Sequence, residues 1–286
     1  MTKCHVCFRH CDLKEGVTGF CGARIGLSGK AAPSNYGRIT AIALDPIEKK
    51  PLHRFYPGTK ILSVGSYGCN LRCPFCQNNG ISWGEEAKQY AVSSDILMPD
   101  QLVAIAEKQK EKGNIGIAFT YNEPLIGYEY VRDTSELVHA RGMKNVIVSN
   151  GTAELSVLDE INPYIDAMNI DLKCFDPETY SKVLGGDMKM TMEFIREAVK
   201  NAHVELTCLI VPGMNDSAEM IRDMASWIAS LKDGKGNIIG KDIPLHVSRF
   251  FPCFHMTDRP ATPVDTVYKL AEAAGEYLNY VYTGNC

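Results

Sequence analysis

The chain has 286 residues, 45% of them apolar and 22% charged, which is enough to bury a large core as one sizeable domain, with or without an appendage. With 30 basic and 34 acidic residues the net charge is −4, and no block of like charge stands out, so neither nucleic acid nor an anionic membrane is favoured as a partner. The start, Met-Thr-Lys-Cys-His-Val-Cys, has no apolar stretch behind a basic one, and no run of about 18 apolar residues occurs, so the expected location is the cytosol.

Without an export signal, the 11 cysteines point to metal rather than to disulfides. The first group, Cys4, Cys7, Cys11 and Cys21, offers four soft ligands in a short span. Zinc is the leading candidate there and an auxiliary iron–sulfur cluster the alternative, with His5 and His10 as possible substitutes for one thiol. The bland alternative is a set of unbound reduced thiols. Residues 25–60 then read as short strands and turns joining this knob to the rest, so 1–60 is taken as a Cys-rich metal-binding extension and 61–286 as the main domain.

From residue 61 the chain alternates short β-branched runs with longer amphipathic segments, the pattern of βα units on a parallel sheet. Six strands are expected, at 61–66, 115–120, 145–149, 167–172, 204–211 and 243–249, the last edge-like because of Pro244. Pro99 and Asp100 open a helix that Gly113 stops. Asp216 with Glu219 reads as a capping box ahead of Met220, Ile221, Met224, Ile228 and Leu231 at helical spacing. The tract 233–242 reads as a loop.

Parallel βα units put functional residues at the carboxyl ends of the strands. After the first strand stand Cys69, Cys73 and Cys76, three thiols without a nearby fourth ligand. That leaves either a cluster with one exposed iron or a zinc site completed from a distance. After the second come Tyr121, Asn122 and Glu123, and at the third Ser149 and Asn150. Asp171 and Lys173 close the fourth and share one face, and His246 with Arg249 lies on the sixth. Asp171 and Lys173 can also be read as a local ion pair, His246 as a hydrogen-bonded core histidine, and Cys208 as core.

Cys-x3-Cys-x2-Cys at a strand end, with aromatic Phe75 before the last cysteine, resembles the radical S-adenosylmethionine (SAM) superfamily. Asp45 to Leu52, Thr120 to Pro124, Ile170 to Lys173, Val211 to Asp216 and Tyr280 to Asn285 narrow the resemblance. They are similar to the AmmeMemoRadiSam system enzymes, relatives of the pyruvate formate-lyase activating enzymes. The resemblance implies a partial (β/α)6 TIM-type barrel and a 4Fe–4S cluster on Cys69, Cys73 and Cys76, with SAM on the fourth iron. It implies one-electron cleavage of SAM to methionine and a 5′-deoxyadenosyl radical, with an electron donor such as flavodoxin or ferredoxin. Glu123 matches the acidic position that accepts from the SAM amino group. Phe75, Tyr121, Asn122, Ser149, Asn150, Asp171, Lys173 and His246 are the other expected SAM contacts. The substrate, a small molecule or a partner protein activated as a glycyl radical, stays open. A module of another class, a non-enzymatic iron–sulfur electron carrier or zinc binder, would release no 5′-deoxyadenosine.

Overall fold

The computed structural model describes residues 1–286, the side chains at 91 and 92 excepted. Eight strands form the main sheet, labelled β1 to β8 in chain order: Ala41–Pro46, Lys60–Gly65, Asn114–Phe119, Lys144–Ser149, Ala167–Asp171, His203–Ile210, Leu245–Arg249 and Val281–Gly284. They lie side by side in that same order. Every neighbouring pair is parallel except β1 with β2, which is antiparallel. The six expected strands are β2 to β7, each within two residues of its predicted bounds. This is the α/β architecture the pattern implies. The strands are nearly continuous buried runs because helices cover the outer face and the inner face lines a barrel interior.

Three local expectations are corrected. Pro244 does not make an edge, because the strand begins at Leu245, after the proline, and β8 pairs on its far side. The Pro244 carbonyl still accepts from Leu206 N at 2.9 Å. The helix Pro99–Lys108 ends before Gly113, and a separate turn at Lys110–Lys112 precedes that glycine, whose φ of 87° ends the segment. Asp216 and Glu219 do not cap the helix Ala218–Ala229. Ser217 does, its hydroxyl taking the Met220 N–H at 3.1 Å, while Asp216 accepts from Gly213 N. That helix buries Ile221, Met224, Ala225 and Ile228 against the sheet, as its periodicity requires.

The amino end of the barrel is plugged. Ile47, Leu52 and Phe55 bury with Ile61, Ala118, Val146 and Ala167, and Asn169 Nδ2 donates to Pro51 O at 2.9 Å. Access to the interior is left at the carboxyl ends of the strands. Ahead of the sheet, two small antiparallel pairs, Thr2–Lys3 with Asp12–Leu13 and Arg24–Leu27 with Lys30–Pro33, frame the four N-terminal cysteines. No helix among the described residues is long and apolar enough to cross a membrane.

Candidate active site

The carboxyl ends of β2 to β8 surround one cavity of about 280 Å³, the scale of a small-molecule site. Its wall holds Cys69, Cys73, Phe75 and Cys76 after β2, Tyr121, Asn122 and Glu123 after β3, Ser149 and Asn150 at the end of β4, and Asp171 and Lys173 at β5. Of the residues predicted to contact SAM or the cluster, the structure leaves out one, His246. It is buried two residues below cavity-lining Ser248, and its Nε2 pairs with Glu205 Oε2 at 2.7 Å.

The loop that carries Cys69, Cys73 and Cys76 is held from several sides. Gly68, at φ 93°, turns the chain off β2. Asn70 Nδ2 donates to Thr152 O at 2.8 Å, and Asn150 Nδ2 donates to Asn70 Oδ1 at 2.9 Å, so this loop is tied to the one after β4. Arg72 donates to the carbonyls of Cys69 and Leu71, and a tight turn brings Cys76 N to Cys73 O at 3.2 Å. Asn122 spends its amide on backbone, accepting from Ser66 N and donating to Tyr67 O and Gly68 O. Tyr121 is in the left-handed region at φ 73°. Its ring lies over Gly65, where a Cβ would stand 2.8 Å from Cδ2, and its hydroxyl donates to Asp45 at 2.9 Å.

Burial pushes the Cys69 thiol well above its ordinary range and Cys73 up to about 11, the latter opposed by the Lys173 charge; Cys76 is raised too. Such thiols become thiolates only on a metal, and three soft donors on one wall match the donor set of an iron–sulfur cluster. Neither this set nor the N-terminal one has, among the described residues, its side chains drawn to metal-ligating distance. On the same cavity wall, Glu123 is buried and takes the N–H groups of Asn150 (2.8 Å) and Leu125 (3.0 Å) and the Ser149 hydroxyl (2.8 Å). Burial still outweighs these bonds and raises its carboxyl to about 7. Burial works to lower Lys173, but the charges of Asp171 and Cys73 more than reverse this, so the ammonium stays protonated. An acid and a cation therefore line one space, which suits a ligand carrying both an ammonium and a carboxylate.

Sequence reasoning did not single out Thr207, Ser248 or Asn285, all of which line the cavity. Strand alternation points to the first two: Thr207 faces the same way as Glu205, and Ser248 the same way as His246. Cys253 lies just off the wall, its Sγ 3.6 Å from Cys76 O, while Cys174 and Cys208 are core.

Residues 63–228 match the model of the Radical SAM superfamily, and the chain belongs to that superfamily, whose members are enzymes that use an iron–sulfur cluster and SAM. It is 39% identical over 285 residues, 99% of its own length and 81% of the relative's, to the uncharacterized protein MJ0808 of Methanocaldococcus jannaschii. It is 26% identical over 179 residues to the pyruvate formate-lyase-activating enzyme of Clostridium pasteurianum, covering 62% of this chain and 72% of that one. Among solved structures, SuiB of Streptococcus suis bound to S-adenosylmethionine shares the fold with a TM-score of 0.58 at 14% identity, over 77% of this chain and 48% of that one.

Proposed function

We propose that the enzyme reductively cleaves SAM at a 4Fe–4S cluster held by Cys69, Cys73 and Cys76 and uses the resulting radical to take hydrogen from a substrate in the same cavity. The observation that carries this reading is the shared wall: the thiols of Cys69, Cys73 and Cys76, the second buried and the others half-buried, line one cavity of about 280 Å³ together with Glu123, Asn150, Asp171 and Lys173. When bound, cluster and cofactor supply the one-electron cleavage. The chain orients the methionine end of SAM and excludes water. Glu123 accepts from the SAM ammonium, with Ser149 and the Asn150 N–H fixing the carboxylate geometry. Lys173 meets the SAM carboxylate, and Asp171 positions Lys173 or accepts from the ribose. An external protein reductant of the flavodoxin or ferredoxin kind delivers the electron.

The cysteine-bearing start of the chain carries one zinc on Cys4, Cys7, Cys11 and Cys21, while β1 and the plug residues Ile47, Leu52 and Phe55 belong with residues 61–286 to the catalytic barrel, so the barrel begins before residue 61, in a cytoplasmic protein. Similarity to an activating enzyme supports a second reading of the substrate, a partner protein that receives a glycyl radical. Anaerobically reconstituted wild type is expected to release 5′-deoxyadenosine under a strong reductant, and Cys73→Ala to lose both that product and the SAM-responsive cluster signal. Undiminished cleavage in Cys73→Ala would overturn the assignment. Transfer of deuterium between 5′-deoxyadenosine and a candidate protein or metabolite identifies the substrate.

A further inference from the structure

The N-terminal cysteines do not form a distant appendage. Cys4, Cys7 and Cys21 are buried, and the Cys4 N–H donates to Cys11 O at 2.9 Å, which folds the first three thiols into one turn region. Cys21 then meets the catalytic loop directly: its carbonyl accepts the Cys69 N–H at 3.1 Å. The approach is so close that a Cβ on Gly68 would lie 2.6 Å from the Cys21 oxygen. Cys21 also packs with Ala23, Tyr67 and Ile126, while Cys4, Val6 and Leu13 share the core that contains Cys73 and Phe75.

Two arginines fill the seam between the thiol sets. Arg9, from the N-terminal turn, and Arg72, from the catalytic loop, both stack on the Phe20 ring, at 3.3 and 3.8 Å from its centroid. Arg9 donates to Asn70 O and Gly185 O, and Arg72 to the carbonyls of Cys69, Leu71 and Phe20. All of these acceptors are neutral, and among the described residues no carboxylate pairs with either guanidinium. Arg9 lies between Cys7 and Cys11 in the N-terminal turn, and Arg72 lies beside Cys73 with its guanidinium on the Cys69 carbonyl, so each guanidinium sits within one of the two thiol sets. Two like charges at one ring repel unless anions lie beside them, and a metal ion bound by four thiolates is such an anion.

We infer that Cys4, Cys7, Cys11 and Cys21 form a soft-metal centre that positions the catalytic cluster loop, acting through the Cys21 carbonyl on Cys69 and through Arg9, Phe20 and Arg72. This rests on the metal reading of the N-terminal thiols and on the cluster reading of Cys69, Cys73 and Cys76. Arg9, Phe20 and Arg72 are positioning residues: their cationic stack shares its charge between the two thiolate sets, so loss of one centre disturbs the other. Such outer-shell partners commonly change metal retention by about 10- to 100-fold.

The test uses the full chain reconstituted anaerobically with iron, sulfide and zinc. It follows zinc and iron content, the midpoint potential of the catalytic cluster and the rate at which a ferrous chelator strips it. The Cys7→Ser, Cys11→Ser double variant is expected to lose the zinc and to release cluster iron about tenfold faster. Phe20→Leu is expected to keep the zinc, shift the midpoint potential and release iron faster, with Phe20→Tyr returning both to wild-type values. A zinc-free double variant with wild-type potential and iron release overturns the coupling and leaves the metal reading standing. Wild type that holds no metal beyond the catalytic cluster overturns both. Should the double variant fail to fold, the Phe20 pair decides alone: identical potentials in Phe20→Leu and wild type overturn the inference.

Discussion

Lys173 Nζ lies 2.7 Å from Asp171 Oδ2, and both residues line the cavity that Cys69, Cys73 and Cys76 also line. An ion pair and a ligand contact are therefore compatible, because an ammonium has three donors and Asp171 occupies one of them. If both groups hold SAM, Lys173→Met weakens its binding by about 1.5–3 kcal/mol, the scale of a charge-assisted hydrogen bond, without loss of iron. Asp171→Asn weakens it as well, and does so even in the Lys173→Met background. Titration calorimetry of SAM into the oxidised protein reads this. Wild-type affinity in both single variants would reduce the pair to a structural ion pair.

That Cys69, Cys73 and Cys76 share one cavity with the residues past the later strands was legible because the signals are local: a cysteine spacing, a strand before it, and polar residues just past each further strand. What lay outside that reach depended on pairing partners distant in sequence. Val281–Gly284 is too short to register as a strand until it is seen to pair with Leu245–Ser248. His246 sits on the right strand and faces the barrel interior, but its distance from the mouth follows from Glu205, which is 41 residues away in sequence. The contact between Cys21 and Cys69 likewise joins two motifs that no spacing rule connects.

Glu123 supplies a pH signature. Its carboxyl is raised from 4.5 to about 7 by burial, against the opposing hydrogen bonds from Asn150, Leu125 and Ser149. Between those two values the folded chain keeps a proton that the unfolded chain has lost, so stability falls as pH rises through the window and levels off above it. The whole effect amounts to about 3 kcal/mol at most. Glu123→Gln has no such proton, although its amide loses an acceptor for backbone N–H. The gap in urea midpoint between wild type and variant is thus expected to narrow between about pH 5 and about pH 8. A gap that stays constant over that range would count against a shifted carboxyl.

Glu205 works in the opposite sense at the plugged end of the barrel. Its carboxylate is fully buried and takes the backbone N–H groups of His53 (3.0 Å) and Arg54 (2.7 Å), and it pairs with the ring nitrogens of His203 (2.9 Å) and His246 (2.7 Å). Burial alone would raise this carboxyl, yet the two histidines and the two N–H groups outweigh it and hold the group at about 2. The stability it contributes is complete above the unfolded value near 4.5 and is lost as pH falls toward 2. Glu205→Leu leaves the plug's N–H groups without an acceptor and is expected to cost about 3–5 kcal/mol near neutral pH, read as a lowered urea midpoint. That deficit should shrink on acidification. Because neither Glu205 nor His246 reaches the cavity wall, the milder Glu205→Gln variant is expected to bind SAM like wild type wherever it is folded. If Glu205→Gln instead weakened SAM binding as much as Lys173→Met, His246 would belong to the cofactor site and the plug would have a second role in shaping it.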